Sequence, residues 1–110
     1  LHNDRSMSTR AFEVIAAAPV VWVSLATPWE LQIKVKAGKL ALAADWFQPD
    51  KDGIETLDVT LPDVLLAANL PLHHRDPFDR LIVAQALQRH LVIVTRDAVF
   101  ARYGVPTIVA

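Results

Sequence analysis

The chain has no cysteine, so disulfides and thiolate metal ligands are excluded, and the metal chemistry open to it is that of a hard cation held by oxygens. A basic excess is missing too. Eleven Lys+Arg stand against twelve Asp+Glu, a net charge of -1, which excludes a general electrostatic attraction to nucleic acid and leaves any such contact to local groups. No apolar run is long enough to cross a membrane, because the longest, 14–18 and 20–23, are broken by Pro19 and Ser24. The basic-then-apolar order of a secretory leader is absent as well. Together these absences suit a reducing cytoplasm. What is present, 110 residues of which 53% are hydrophobic, suffices for one core and is too short for two, so a single domain over 1–110 is expected.

Apolar spacing predicts a first helix over 8–17, stopped by Pro19, then a β-branched strand over 20–24. Thr27, Pro28 and Glu30 match the cap, first-turn proline and third-position acid of a helix that runs to Gly38. The signal is mixed beyond it: 43–47 allows a helix, and PDKDG (49–53) reads as a loop. A strand over 57–60, helices over 61–68 and 76–89, a strand over 91–95, a helix over 97–103 closed by Gly104, and a strand over 105–109 complete the reading. Helices alternating with apolar strands imply an α/β fold. Its mainly parallel sheet would be covered on both faces, with a ligand crevice beyond the C-terminal ends of the strands.

The stretch 73–97, HHRDPFDRLIVAQALQRHLVIVTRD, carries the chemistry. Glu30 and Asp97 follow strands that end near Ser24 and Thr95, which places both on the crevice side. Asp79 shares a helix face with Ile82, Val83 and Ala86, where a lone ionised carboxylate is costly unless it is paired, hydrogen-bonded or bound to metal. Each acid also has a plainer reading. Glu30 fits a capping box with Thr27, Asp76 before Pro77 an N-cap, and Asp97 a cap of the short helix after it. Asp45, Asp50, Asp52, Glu55 and Asp58 read as solvated surface groups, and His73 and His74 lack metal-ligand spacing. Arg75, Arg80 and Arg96 each flank an acid, which suits ion pairing or contact with an RNA phosphate backbone. The three Trp read as core or interface, since no spacing arranges them for base stacking.

The segments PWELQIK (28–34), LPLHHRDPFDRLIVAQALQRHLVIVTRD (70–97) and YGVPTI (103–108) resemble the PIN-domain ribonucleases, specifically the VapC-like toxins of bacterial type II toxin–antitoxin pairs. The resemblance implies a three-layer α/β/α fold with a mainly parallel sheet. It also implies a Mg²⁺ or Mn²⁺ site that hydrolyses RNA. Residue by residue, it places the metal-binding and catalytic acids at Glu30, Asp79 and Asp97, with Asp76 a weaker ligand and Thr95 an assistant. The partners implied are a VapB-like antitoxin over the cleft and a second copy in a homodimer. One departure stands out. The family's first strand, ending in a metal-ligating aspartate, would precede Leu1, and Asp4 reads as the loop after the family's first helix. The chain therefore reads as an N-terminally truncated PIN domain. Such a chain is expected to leave strand edges unpaired, to fill the gap with a segment of a second copy, and to show little nuclease activity. The alternative is a catalytically inactive or partial domain that only binds an antitoxin or itself.

Overall fold

The computed structural model describes residues 8–73 and 75–110; Asp4 and His74 lie outside the described residues. Helix α1 (Thr9–Ala17) begins where Ser8, in extended backbone, accepts the Ala11 N–H on its side chain. The same Ser8 hydroxyl donates to the Val109 carbonyl at 2.6 Å and so ties the helix start to the far end of the chain. Strand β1 (Val21–Ser24) leads into helix α2 (Ala26–Lys36). A single turn, α3 (Pro49–Asp52), closes on Gly53 in the left-handed region at φ 69°. Strand β2 (Ile54–Leu57), helix α4 (Leu61–Asn69), helix α5 (Pro77–Arg89), strand β3 (Ile93–Thr95), a 3₁₀ helix (Ala98–Tyr103) and strand β4 (Thr107–Val109) follow.

The fold is α/β with parallel strands, and among the described residues the strands form two pairs. β1 runs parallel to β2 with Val21 opposite Ile54 and Ser24 opposite Leu57, and β3 runs parallel to β4 with Ile93 opposite Thr107. The parallel pairing is as expected, and parts of the strands face solvent. Trp22 in β1 and Val109 in β4 are exposed, whereas a strand at the centre of a covered sheet buries both of its faces. The core lies between α5 and the second pair: Val83 and Ala86 pack with Ile93, Phe100 and Val105.

Three local readings change as well. Residues 43–47 form no helix, and PDKD is helical rather than looped, because Pro49 supplies a fixed φ at the first turn and Gly53 the left-handed stop. The second strand ends at Leu57 instead of spanning 57–60. Thr60 is the N-cap of α4, and its N–H is bound by the Asp63 carboxylate at 3.0 Å, which takes it out of any ladder.

Two polar clusters fasten α4 to α5. Asp63 is 0% exposed, and its carboxylate receives Arg89 Nη1 at 2.9 Å, Arg89 Nη2 at 3.0 Å and Gln88 Nε2 at 2.9 Å, besides the Thr60 N–H. A buried charge so fully bonded is satisfied, and the Arg89 guanidinium holds the Asp63 carboxyl far below the usual carboxylate range. At the other end of α4, Arg80 donates to the carbonyls of Ala67 at 2.7 Å, Leu70 at 2.8 Å and Pro71 at 2.9 Å. The last carbonyls of a helix lack intrahelical partners, and a cation there also opposes the negative end of the dipole.

Candidate functional site

Helix α2 starts directly after β1. Its first N–H groups are met by the strand end, where Ser24 Oγ accepts from Ala26 N at 3.1 Å while Leu25 N donates to the Leu57 carbonyl at 3.0 Å. Thr27 is therefore already inside the helix, the N-cap Leu25 has no side-chain cap bond, and the expected Thr27–Glu30 capping box does not form. Glu30 sits a full turn in, and its carboxylate turns to other partners. Lys34, one turn on, is 3.9 Å away, a distance that carries little weight for a half-exposed lysine.

The start of α5 supplies the other acids. Asp76 is the N-cap, as expected: its Oδ1 accepts from Phe78 N at 2.8 Å and Asp79 N at 3.3 Å. It also lies near enough to Glu30 to act on its charge. Burial, then the charges of Asp76 and Asp79, raise the Glu30 carboxyl above its ordinary 4.5. Glu30, Asp76 and Asp79 thus form one electrostatic unit across the α2–α5 junction.

Asp97 is placed differently. It is exposed, it caps the 3₁₀ helix by accepting from Val99 N at 3.0 Å, and its own N–H donates to Thr95 Oγ1 at 3.1 Å. Among the described residues, no three His, Asp or Glu side chains are gathered closely enough to hold a metal ion. Carboxylates are nevertheless the donor type a hard divalent cation takes, and Asp76 and Asp79 act on the charge of Glu30.

Of the arginines expected to meet RNA, Arg75 and Arg96 are exposed, whereas Arg80 is 8% exposed and committed to the end of α4. Its assignment to RNA is corrected to a structural one, because its two terminal nitrogens already serve three carbonyls. His73 packs edge-on against Tyr103 with ring centroids 5.0 Å apart, which joins the loop before α5 to the 3₁₀ helix. Sequence reasoning missed a further pair. Trp29 is 62% exposed and meets Phe78 edge to face at 4.9 Å and 84°. The signal was adjacency, since each aromatic directly precedes an acid of the cluster: Trp29 before Glu30, Phe78 before Asp79. Beside the pair opens a cavity of about 360 Å³, lined by Trp29, Val64, Ala67, Pro77, Phe78 and Leu81.

No helix among the described residues is long and apolar enough to cross a membrane. No individual curated protein and no solved structure matches the chain significantly. The PIN domain family model does, over residues 1–106. A match of that span, on an α/β chain whose acids meet at the α2–α5 junction, shows that the chain belongs to the PIN domain family, generally a nuclease fold.

Proposed function

We propose that the protein is a metal-dependent endoribonuclease, the toxin of a toxin–antitoxin pair, cutting RNA phosphodiester bonds at the acidic junction of α2 and α5. The observation that carries this reading is the PIN domain match over residues 1–106, with Glu30, Asp76 and Asp79 acting on one another's charge at the α2–α5 junction. Such a cluster costs stability on its own and is the arrangement expected where a cation is to be bound. Glu30, Asp76 and Asp79 would hold Mg²⁺ or Mn²⁺, with Asp97 brought in from the 3₁₀ turn. Held there, such an ion would supply charge stabilisation for the phosphate and acidify water.

The chain's own groups do the rest. Asp76 fixes the start of α5 and so positions Asp79. Thr95 holds the backbone N–H of Asp97 and sets where that carboxylate projects. Arg75 and Arg96, both exposed and each flanking an acid, are candidates to meet a phosphate backbone. A VapB-like antitoxin over the cleft, a homodimeric state and a cytoplasmic setting complete the reading.

A second reading, a catalytically inactive or partial domain that only binds an antitoxin or itself, is favoured by the exposed position of Asp97 and by the pairing of the described strands two by two. Incubating the protein with total RNA in Mn²⁺ or Mg²⁺, and in parallel with EDTA, separates the two. The nuclease reading expects discrete cleavage products that vanish with the chelator and return when metal is restored. RNA left intact under every metal condition would favour the binding module.

A further inference from the structure

We propose that Trp29, braced by Phe78, is a stacking platform for an unpaired base of the RNA, next to the phosphate that is cut. This deepens the ribonuclease reading and rests on it. Three observations converge. Trp29 is 62% exposed, so a large indole surface faces solvent at a position where burial would be favourable. It is nonetheless held, because the edge-to-face contact with Phe78 at 4.9 Å fixes its plane without covering it. It also stands beside the acids: Glu30 follows Trp29 on α2, Asp79 follows Phe78 on α5, and the Trp29–Phe78 contact joins the starts of the two helices. A nucleotide with its phosphate at this junction can lay its base on the indole.

The neighbouring cavity says how the base is recognised. Its lining is almost wholly apolar, and its one cation, Arg80, is already bound to the α4 carbonyls. No base-edge reader lines it. A base held there is gripped by its face, which all four bases possess, so the platform demands an unstacked nucleotide and discriminates weakly among bases. Duplex RNA, whose bases are stacked internally, cannot offer one.

The test uses RNA oligonucleotides that span a mapped cleavage site and carry one abasic nucleotide stepped along the strand. In the parent protein, an abasic nucleotide at one position beside the cut should lower kcat/KM by about tenfold, the loss expected when one base–aromatic stack is removed. Trp29→Ala should lower kcat/KM on the intact strand by a similar factor, chiefly through KM, and should then be indifferent to the abasic nucleotide. Trp29→Phe should recover most of the loss. Because Trp29 is exposed, the variants are expected to fold, and circular dichroism checks this. If the parent cuts but Trp29→Ala shows the same abasic penalty as the parent, the platform is wrong while the nuclease stands. The same holds if Trp29→Ala leaves cleavage unchanged and instead releases a protein that co-purifies with the parent, since the cavity would then belong to a protein partner. If the parent neither cuts RNA nor shows Trp fluorescence quenching by single-stranded RNA, both readings fall together.

Discussion

Replacing Asp79 by asparagine is expected to reduce metal-dependent RNA cleavage to background while leaving the protein folded. The loss should exceed the roughly 10–100-fold typical of removing an outer-shell partner of a metal ligand, because this carboxylate sits in the cluster itself. Stability should move the other way. Asp79 is one of the charges that raise Glu30, so the folded state holds that proton more tightly than the unfolded state does. Stability of the parent therefore falls as pH rises from the ordinary Glu30 value of 4.5 through the raised one, and the penalty is in full force above it. Asp79→Asn relieves part of this at neutral pH, and the gain disappears below about 4.5, where Glu30 is protonated in both states. Cleavage assays paired with thermal melts at two pH values measure both effects. A variant that cuts as fast as the parent would remove Asp79 from the site.

Replacing Asp63 by alanine is expected to be the most destabilising single change in the α4–α5 pair. It strips Arg89 of its partner and deletes the N3 half of the α4 capping box at once. Breaking a buried ion pair costs about 3–5 kcal/mol. Arg89 keeps 29% of its side chain in solvent, so the lower figure, about 3 kcal/mol, is the appropriate one. Against a typical total of about 5–15 kcal/mol this is a large share. It corresponds to a fall in Tm of more than about 10 °C for a domain of this size. Asp63→Asn, which keeps an acceptor for Thr60, should lose less. The pH sign follows from the depressed carboxyl: its contribution is fully present above the ordinary 3.8 and is lost as pH falls further, so the parent should weaken in strong acid more steeply than Asp63→Asn. A Tm within about 2 °C of the parent for Asp63→Ala would show that the pair contributes little.

What could be read from the sequence was what is decided locally. The caps at Asp76 and Asp97 are short side chains serving amides two or three residues on, and a stretch of chain contains both partners. Gly104, at φ 77°, likewise closes the 3₁₀ helix as its position after an apolar run suggests. Where the pattern misled, a partner from elsewhere in the fold had intervened. Thr27 and Glu30 have capping-box spacing, yet Ser24 and the neighbouring strand had already met the first amides of the helix, which freed Glu30 for Asp76 some forty-six residues away in sequence. Arg80 looked like a cleft cation beside Asp79, and only the return of α4 against α5 shows that its nitrogens reach Ala67, Leu70 and Pro71. Whether four strands join into one sheet is a question of long-range pairing, which apolar runs do not encode. Trp29 was discounted because no repeat spaced the tryptophans, whereas its partner is a phenylalanine on another helix.

The inward turn of Arg80 bears on how ionic strength should affect this protein. Each lysine or arginine that neutralises a phosphate of single-stranded RNA releases counterions and adds about −0.7 to the slope of log affinity against log salt concentration. With Arg80 withdrawn to the carbonyls of α4, the arginines that flank the acids supply two such contacts, Arg75 and Arg96, and a combined slope of about −1.4. Raising salt fourfold should then weaken binding through these two arginines only about sevenfold, where a polybasic groove would lose several orders of magnitude. An RNA grip of this kind would depend more on contacts that do not screen, and would change little between dilute buffer and the crowded, salty interior of a cell.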